Sequence, residues 1–184
     1  MSVIEKARTQ SLGSALRVGV VGGIAGSLAM AMYAMVVSGS VKHTGFFTPL
    51  YHIASALISP NAMMTSMTDA MHGNSAYFVL APALVGAMIH MMTGAMAGAV
   101  FGVVMSKVAA TRSLTLVYGA GFGLVVLIMN AFIGLPIIAH LFGGGQPISQ
   151  MAKVVGWGHF SVEHLLFGLG LGFVVSRSSV NSND

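Results

Sequence analysis

The sequence predicts an all-α membrane protein, a bundle of four transmembrane helices, and three observations carry that prediction. Of the 184 residues, 55% are hydrophobic and only 7% are charged. A soluble domain carries about 25% charged residues, so this chain could not cover its surface in water. Four apolar stretches, about 18–38, 79–105, 114–138 and 154–175, are each long enough to cross a hydrocarbon core as a helix. Within these stretches glycines recur at spacing four, the pattern that lets helices approach closely in lipid, where no hydrophobic drive acts between them. The chain, 1–184, therefore reads as one integral membrane domain.

Charge sets the expected orientation. An even number of spans puts both termini on one side. That side would hold Lys6, Arg8, Arg17, Lys107, Arg112 and Arg177, and the other only Lys42 and Lys153. The positive-inside rule then places both termini in the cytoplasm. The net charge of +4 is spread thinly over span ends, so it is a topology signal and not a nucleic-acid surface. The N-terminus is polar, with no cleavable signal pattern of its own. No cysteine is present, which excludes disulfides, thiolate metal sites and cysteine nucleophiles.

Span 1 carries Gly19, Gly22, Gly23 and Gly26; span 2 carries Gly86, Gly94, Gly98 and Gly102. Gly119 and Gly123 in span 3, and Gly168 and Gly172 in span 4, continue the pattern. The long outer loop after span 1 predicts a helical cap over about 49–72. Thr48-Pro49 and Ser59-Pro60 each pair an N-cap residue with a proline suited to a first turn. The spacing predicts helices over about 49–58 and 60–72, with Gly73 as the stop. The first, with Leu50, Ile53, Ala54 and Leu57 on one face, would lie in the interface or fold back over the bundle. The second stacks Met63, Met67 and Met71 before His72. Thioether plus imidazole suits copper, but methionine is also a general core filler and packing is the expected role. Span 3 ends with Asn130, Gly134 and Pro136, and the loop AHLFGGGQPISQMAK has a three-glycine run expected to be irregular backbone, with a solvated or interfacial His140.

Span 4 holds the unusual feature: His159, Glu163 and His164 inside an apolar run. Glu163 is roughly 14 Å from Val154 along a helix, near the middle of a ~30 Å core. A carboxylate at that depth costs about 2.5–3.5 kcal/mol on insertion scales unless it is protonated, paired or coordinated. His159, four residues away, shares its face and is its expected partner.

Spans 2 and 4 share a pattern, His90-x3-Gly94-x3-Gly98 and His164-x3-Gly168-x3-Gly172. Spans 1 and 3 align through Gly22 and Gly26 with Gly119 and Gly123. The chain therefore looks like two copies of one helical hairpin about an axis along the membrane normal. That alignment makes His90 and His164 symmetry mates on facing spans, and Tyr33 and Asn130 a second pair giving polar support.

The segments TPLYHIASALISPNAM, ALVGAMIHMMTGAMAG, NAFIGLPIIAHLFGGGQPIS and HLLFGLGLG resemble a family of small, uncharacterised bacterial four-span integral membrane proteins. In that family a "TPLrxIAaxxLGPxAL" loop precedes a span with a central His, and "HxxFGxxLG" closes the chain. The resemblance covers roughly residues 20–175. It implies the four-span architecture and puts His90 and His164 at the two recurrent histidine positions. It implies no activity. Tyr51-His52, His159 and Glu163 depart from the family pattern.

Three functions fit these residues. The leading expectation is a non-enzymatic accessory or scaffold protein whose glycine-rich faces pack against other membrane subunits or a second copy in the bilayer. The alternative is cofactor binding. His90 and His164 would be axial ligands to haem b, or His159, Glu163 and His164 would bind copper or zinc, with Met88, Met91, Met92 and Met129 as a soft wall. A second alternative is a small proton or cation transporter using Glu163 as a relay. An enzyme is not expected, for lack of a nucleophile–base ordering or a phosphate loop.

Overall fold

A computed structural model describes residues 11–180, and it is all-helical. Four helices are long and apolar enough to cross a membrane: 12–40, 80–105, 112–142 and 157–178. Lys6 and Arg8, used above for orientation, lie outside the described residues.

The first span, α1 (Leu12–Ser40), starts earlier than the hydropathy suggests because Ser11 caps it, accepting the Ser14 N–H at 3.3 Å. The outer loop holds α2 (Thr48–Ala54) and α3 (Asn61–Met71). The second span is α4 (Leu80–Met105). The third is α5 (Arg112–Met129), a π turn over Asn130–Gly134, and α6 (Leu135–Phe142). Pro136 has no N–H to offer one turn back, and the Leu135 N–H bonds the Asn130 carbonyl five residues away instead. The three-glycine run after α6 is irregular as expected, with Gly143 (φ +72°) and Gly145 (φ +62°) in the left-handed region. The rest of that loop forms two short helices, α7 (Gly145–Ser149) and α8 (Met151–Val155), ended by Gly156 (φ +90°). The fourth span, α9 (Trp157–Val180), begins only after that second glycine.

Packing makes α1 the central helix. It lies against α4 on one side and α9 on the other, and α9 carries α5. A methyl on Gly23 would overlap the Gly94 carbonyl, and one on Gly19 the Gly98 carbonyl. The second hairpin repeats this contact, Gly119 meeting Gly168 and Gly172 meeting Thr115. The two hairpins thus share one packing mode, but in a different register from the sequence alignment. Gly23 corresponds to Gly119 and Ser27 to Gly123, an offset of 96 residues instead of 97. Gly22 and Gly26, used for that alignment, face Leu171 and Phe167 of α9. Tyr33 and Asn130 are therefore not equivalent, and Asn130 corresponds to Ala34.

The pseudo-symmetry also fails to close. Where α1 and α9 pack along their length, α4 and α5 touch only slightly. Towards the 106–111 connection Phe101 and Phe122 bridge them, ring centroids 5.2 Å apart, over a core with Phe167 and Leu171. Towards the opposite end α2 enters the space, pressed onto α4 where a methyl on Gly86 would overlap the Leu50 carbonyl. A short non-spanning helix at that depth is tolerated because it is buried in protein. Of the two placements expected for the cap, folding back into the bundle is the one adopted. Large apolar side chains such as Leu28, Leu84, Met88, Met92, Met96 and Val125 stand outward, each at least 44% exposed. Such a surface is covered by hydrocarbon, not water.

Candidate functional site

Splaying of α4 from α5 leaves a cavity of about 680 Å³ in the half of the bundle that holds α2 and α3, between α1, α4, α9 and those helices. Its walls are mostly apolar, with Met30, Met63, Met67, Ile138 and Met151 among them. His90, Glu163, His164 and Asn130 converge on it, and Lys42 and His52 line it from the loop. A smaller extension of about 50 Å³ continues past His90, His164 and Asn130 towards Phe167.

The two histidines reach the cavity by different routes. α4 and α9 flank α1 and meet through side chains instead of backbone to backbone, Phe101 of α4 sharing a core with Phe167 and Leu171 of α9. His90 extends across α1 and its Nε2 is 3.0 Å from the Ser27 carbonyl. His164 bonds back along its own helix, Nδ1 to the Phe160 carbonyl at 2.8 Å. Gly123 lets α5 lie directly on the His164 turn. A carbonyl can only accept, so each imidazole donates the proton of the bonded nitrogen. Nδ1 of His90 and Nε2 of His164 therefore keep their lone pairs. Anchoring one ring nitrogen on a carbonyl is how proteins orient a histidine for ligation by the other.

Glu163 is only 5% exposed, faces the cavity and has no hydrogen-bonding partner among the described residues. Its expected partner is drawn elsewhere. His159 Nδ1 is 3.0 Å from the Tyr33 hydroxyl of α1, and His159 does not line the cavity. Tyr33 thus supports His159 and not a symmetric Asn130. Because α9 starts at Trp157, Glu163 lies about 9 Å from the N-terminal end of its span, shallower than expected.

Among the described residues no cluster of three or more His, Asp or Glu could hold a metal ion, so His159, Glu163 and His164 form no preassembled metal centre. The copper set of the cap is also dispersed: Met63 and Met67 line the cavity, Met71 is 74% exposed and His72 bonds the Thr68 carbonyl. Met88, Met92 and Met129 point outward at 62%, 61% and 49% exposure, and neither they nor Met91 lines the cavity. The soft wall comes from Met30, Met63, Met67 and Met151 instead.

Lys42 and His52 were not singled out by their sequence context. Lys42, read above only as an outer-side charge, donates to the Val154 and Val155 carbonyls at 2.9 and 2.6 Å, fastening the end of α1 to the end of α8. His52 is buried with Nε2 2.9 Å from the Pro147 carbonyl, joining α2 to α7. Burial holds its pKa below the ordinary value; the Pro147 carbonyl opposes this and the Lys42 charge adds to it. Tyr51 beside it donates to the Tyr77 carbonyl and accepts the Val79 N–H, tying α2 to the start of α4. A buried polar pair inside an otherwise apolar seven-residue helix was the available signal for α2.

The chain matches no protein-family model, no curated protein and no solved structure.

Proposed function

We propose that this chain is a non-enzymatic integral membrane protein that holds an apolar small molecule in the outer half of its bundle. The supporting observation is the cavity of about 680 Å³ on which His90, Glu163 and His164 converge. Ligand sites are typically about 300–1,000 Å³, apolar, with a few convergent polar groups. The hydroxyls that line it, Ser38, Thr44, Thr48 and Thr93, donate to the backbone carbonyls of Gly45, Ser38, Thr44 and Ile89, so none stands as an activated nucleophile. The glycine rows that a pure scaffold would offer to partners are occupied inside the chain, Gly23 by Gly94 and Gly119 by Gly168. With both termini in the cytoplasm, the cavity faces the outer side of the membrane.

Native mass spectrometry of protein released from mild detergent tests this. A non-covalent adduct is expected on the wild type and not on Ala34→Trp, which fills the cavity from α1. No adduct, or one retained equally by the filled variant, would overturn the reading.

A second reading is favoured by the two free ring nitrogens: haem b, which His90 and His164 would hold and which needs two donors where copper or zinc would need more. The bound group would supply one-electron chemistry; the chain would hold it and shield it from water. Haemin titration should then produce a Soret band of six-coordinate haem that His90→Ala and His164→Ala each abolish.

A further inference from the structure

Resting on the ligand-binding reading, we propose that the cavity is selective for an apolar molecule carrying a protonated amine. The deep end presents acceptors. His90 has committed its Nε2 proton to Ser27 and His164 its Nδ1 proton to Phe160, leaving one lone pair on each ring. Glu163 adds a carboxylate that is 5% exposed and has no hydrogen-bonding partner among the described residues.

Several donors that line the cavity are committed elsewhere. The Thr93 hydroxyl bonds the Ile89 carbonyl, and His52 Nε2–H bonds the Pro147 carbonyl. Lys42 gives two of its three N–H to the Val154 and Val155 carbonyls at the end of α8 and makes no hydrogen bond to Glu163 among the described residues. The Asn130, Gln146 and Gln150 amides also line the cavity without bonding Glu163, and the Asn130 oxygen lies back over Gly134. A carboxylate or phosphate head would meet further acceptors. A hydroxyl would satisfy one of them. An ammonium brings three N–H donors and a charge that neutralises Glu163 where water is excluded. The apolar body would lie against Met30, Met63, Met67 and Met151.

The test uses the full chain in lipid nanodiscs at neutral pH with three probes of one chain length, octylamine, octanol and octanoate. Binding is read by native mass spectrometry and by the shift of the unfolding midpoint. Octylamine should bind at least about tenfold more tightly than octanol, as expected for a charge-assisted hydrogen bond, with octanoate weakest. In Glu163→Gln the ratio of amine to alcohol should fall to about one. Octanol or octanoate binding as tightly as the amine, or an amine preference that survives Glu163→Gln, overturns the selectivity and leaves the cavity reading standing. Failure of all three probes to bind overturns both. Should Glu163→Gln not fold, the wild-type ranking alone decides.

Discussion

Gly23 of α1 and Gly94 of α4 touch backbone to backbone, so closely that a methyl on Gly23 would overlap the Gly94 carbonyl. No side chain separates the two helices there. In lipid, where apolar burial drives nothing between helices, this contact area and its van der Waals attraction supply the adhesion.

Gly23→Ala should therefore destabilise the bundle by about 1–3 kcal/mol, the usual cost of overpacking, because backbone must move to admit the methyl. Gly121→Ala is the control, since nothing lies within 4 Å of its added carbon. That variant should be neutral or more stable by up to about 1 kcal/mol, alanine being the better helix former. Thermal unfolding of detergent-purified protein, followed by size exclusion, separates the two. Equal midpoints would show that the glycine contact is not what holds α1 to α4.

Tyr33→Phe should cost about 0.6–1.5 kcal/mol, the range for one hydrogen bond between membrane helices. It removes the 3.0 Å bond to His159 without touching the cavity. The expected signature is a lower unfolding midpoint with unchanged affinity for whatever probe the cavity binds. A change in affinity as large as that of Glu163→Gln would show that His159 belongs to the site.

Stability should fall as pH drops below the ordinary histidine range. The His52 pKa is held low by burial, so in the window from about 6.5 downwards the unfolded chain takes up a proton that the native chain refuses. Unfolding gains protons there, native stability decreases with falling pH, and the loss levels off once the native imidazole also protonates. His52→Gln keeps a donor for the Pro147 carbonyl and removes the titration. The difference between wild type and variant, measured from about pH 7.5 to pH 5, should shrink as pH falls. A pH-independent difference would remove His52 as the source.

Orientation can be read directly because the chain has no cysteine of its own. Asn61→Cys at the start of α3 should react with an impermeant maleimide in intact cells, and Ala109→Cys between α4 and α5 only after lysis. The reverse pattern would overturn the cytoplasmic placement of the termini.

The amino-acid sequence by itself determined the four spans, their approximate limits and the use of glycine between them. Those properties depend on length, hydropathy and spacing along one chain, and each is expressed locally. The repeated hairpin was legible too, since His90 with Gly94 and His164 with Gly168 recur in one frame. Its register was not: Gly22 and Gly23 are both glycine, and only packing shows that Gly23 meets α4 while Gly22 meets α9. A one-residue shift turns a helix position by about 100°, so the supposed pair Tyr33 and Asn130 parted company. The partner of Glu163 was equally out of reach. Helical spacing allowed His159, but α1 offers that histidine the Tyr33 hydroxyl, and the carboxylate is left facing the cavity. The cavity exists because α2 packs on α4, its Ile53 joining the core of Leu127 and Ala139, at one end of the bundle while Phe101 and Phe122 close the other. That is a competition between distant segments for one space, and only the tertiary structure decided it.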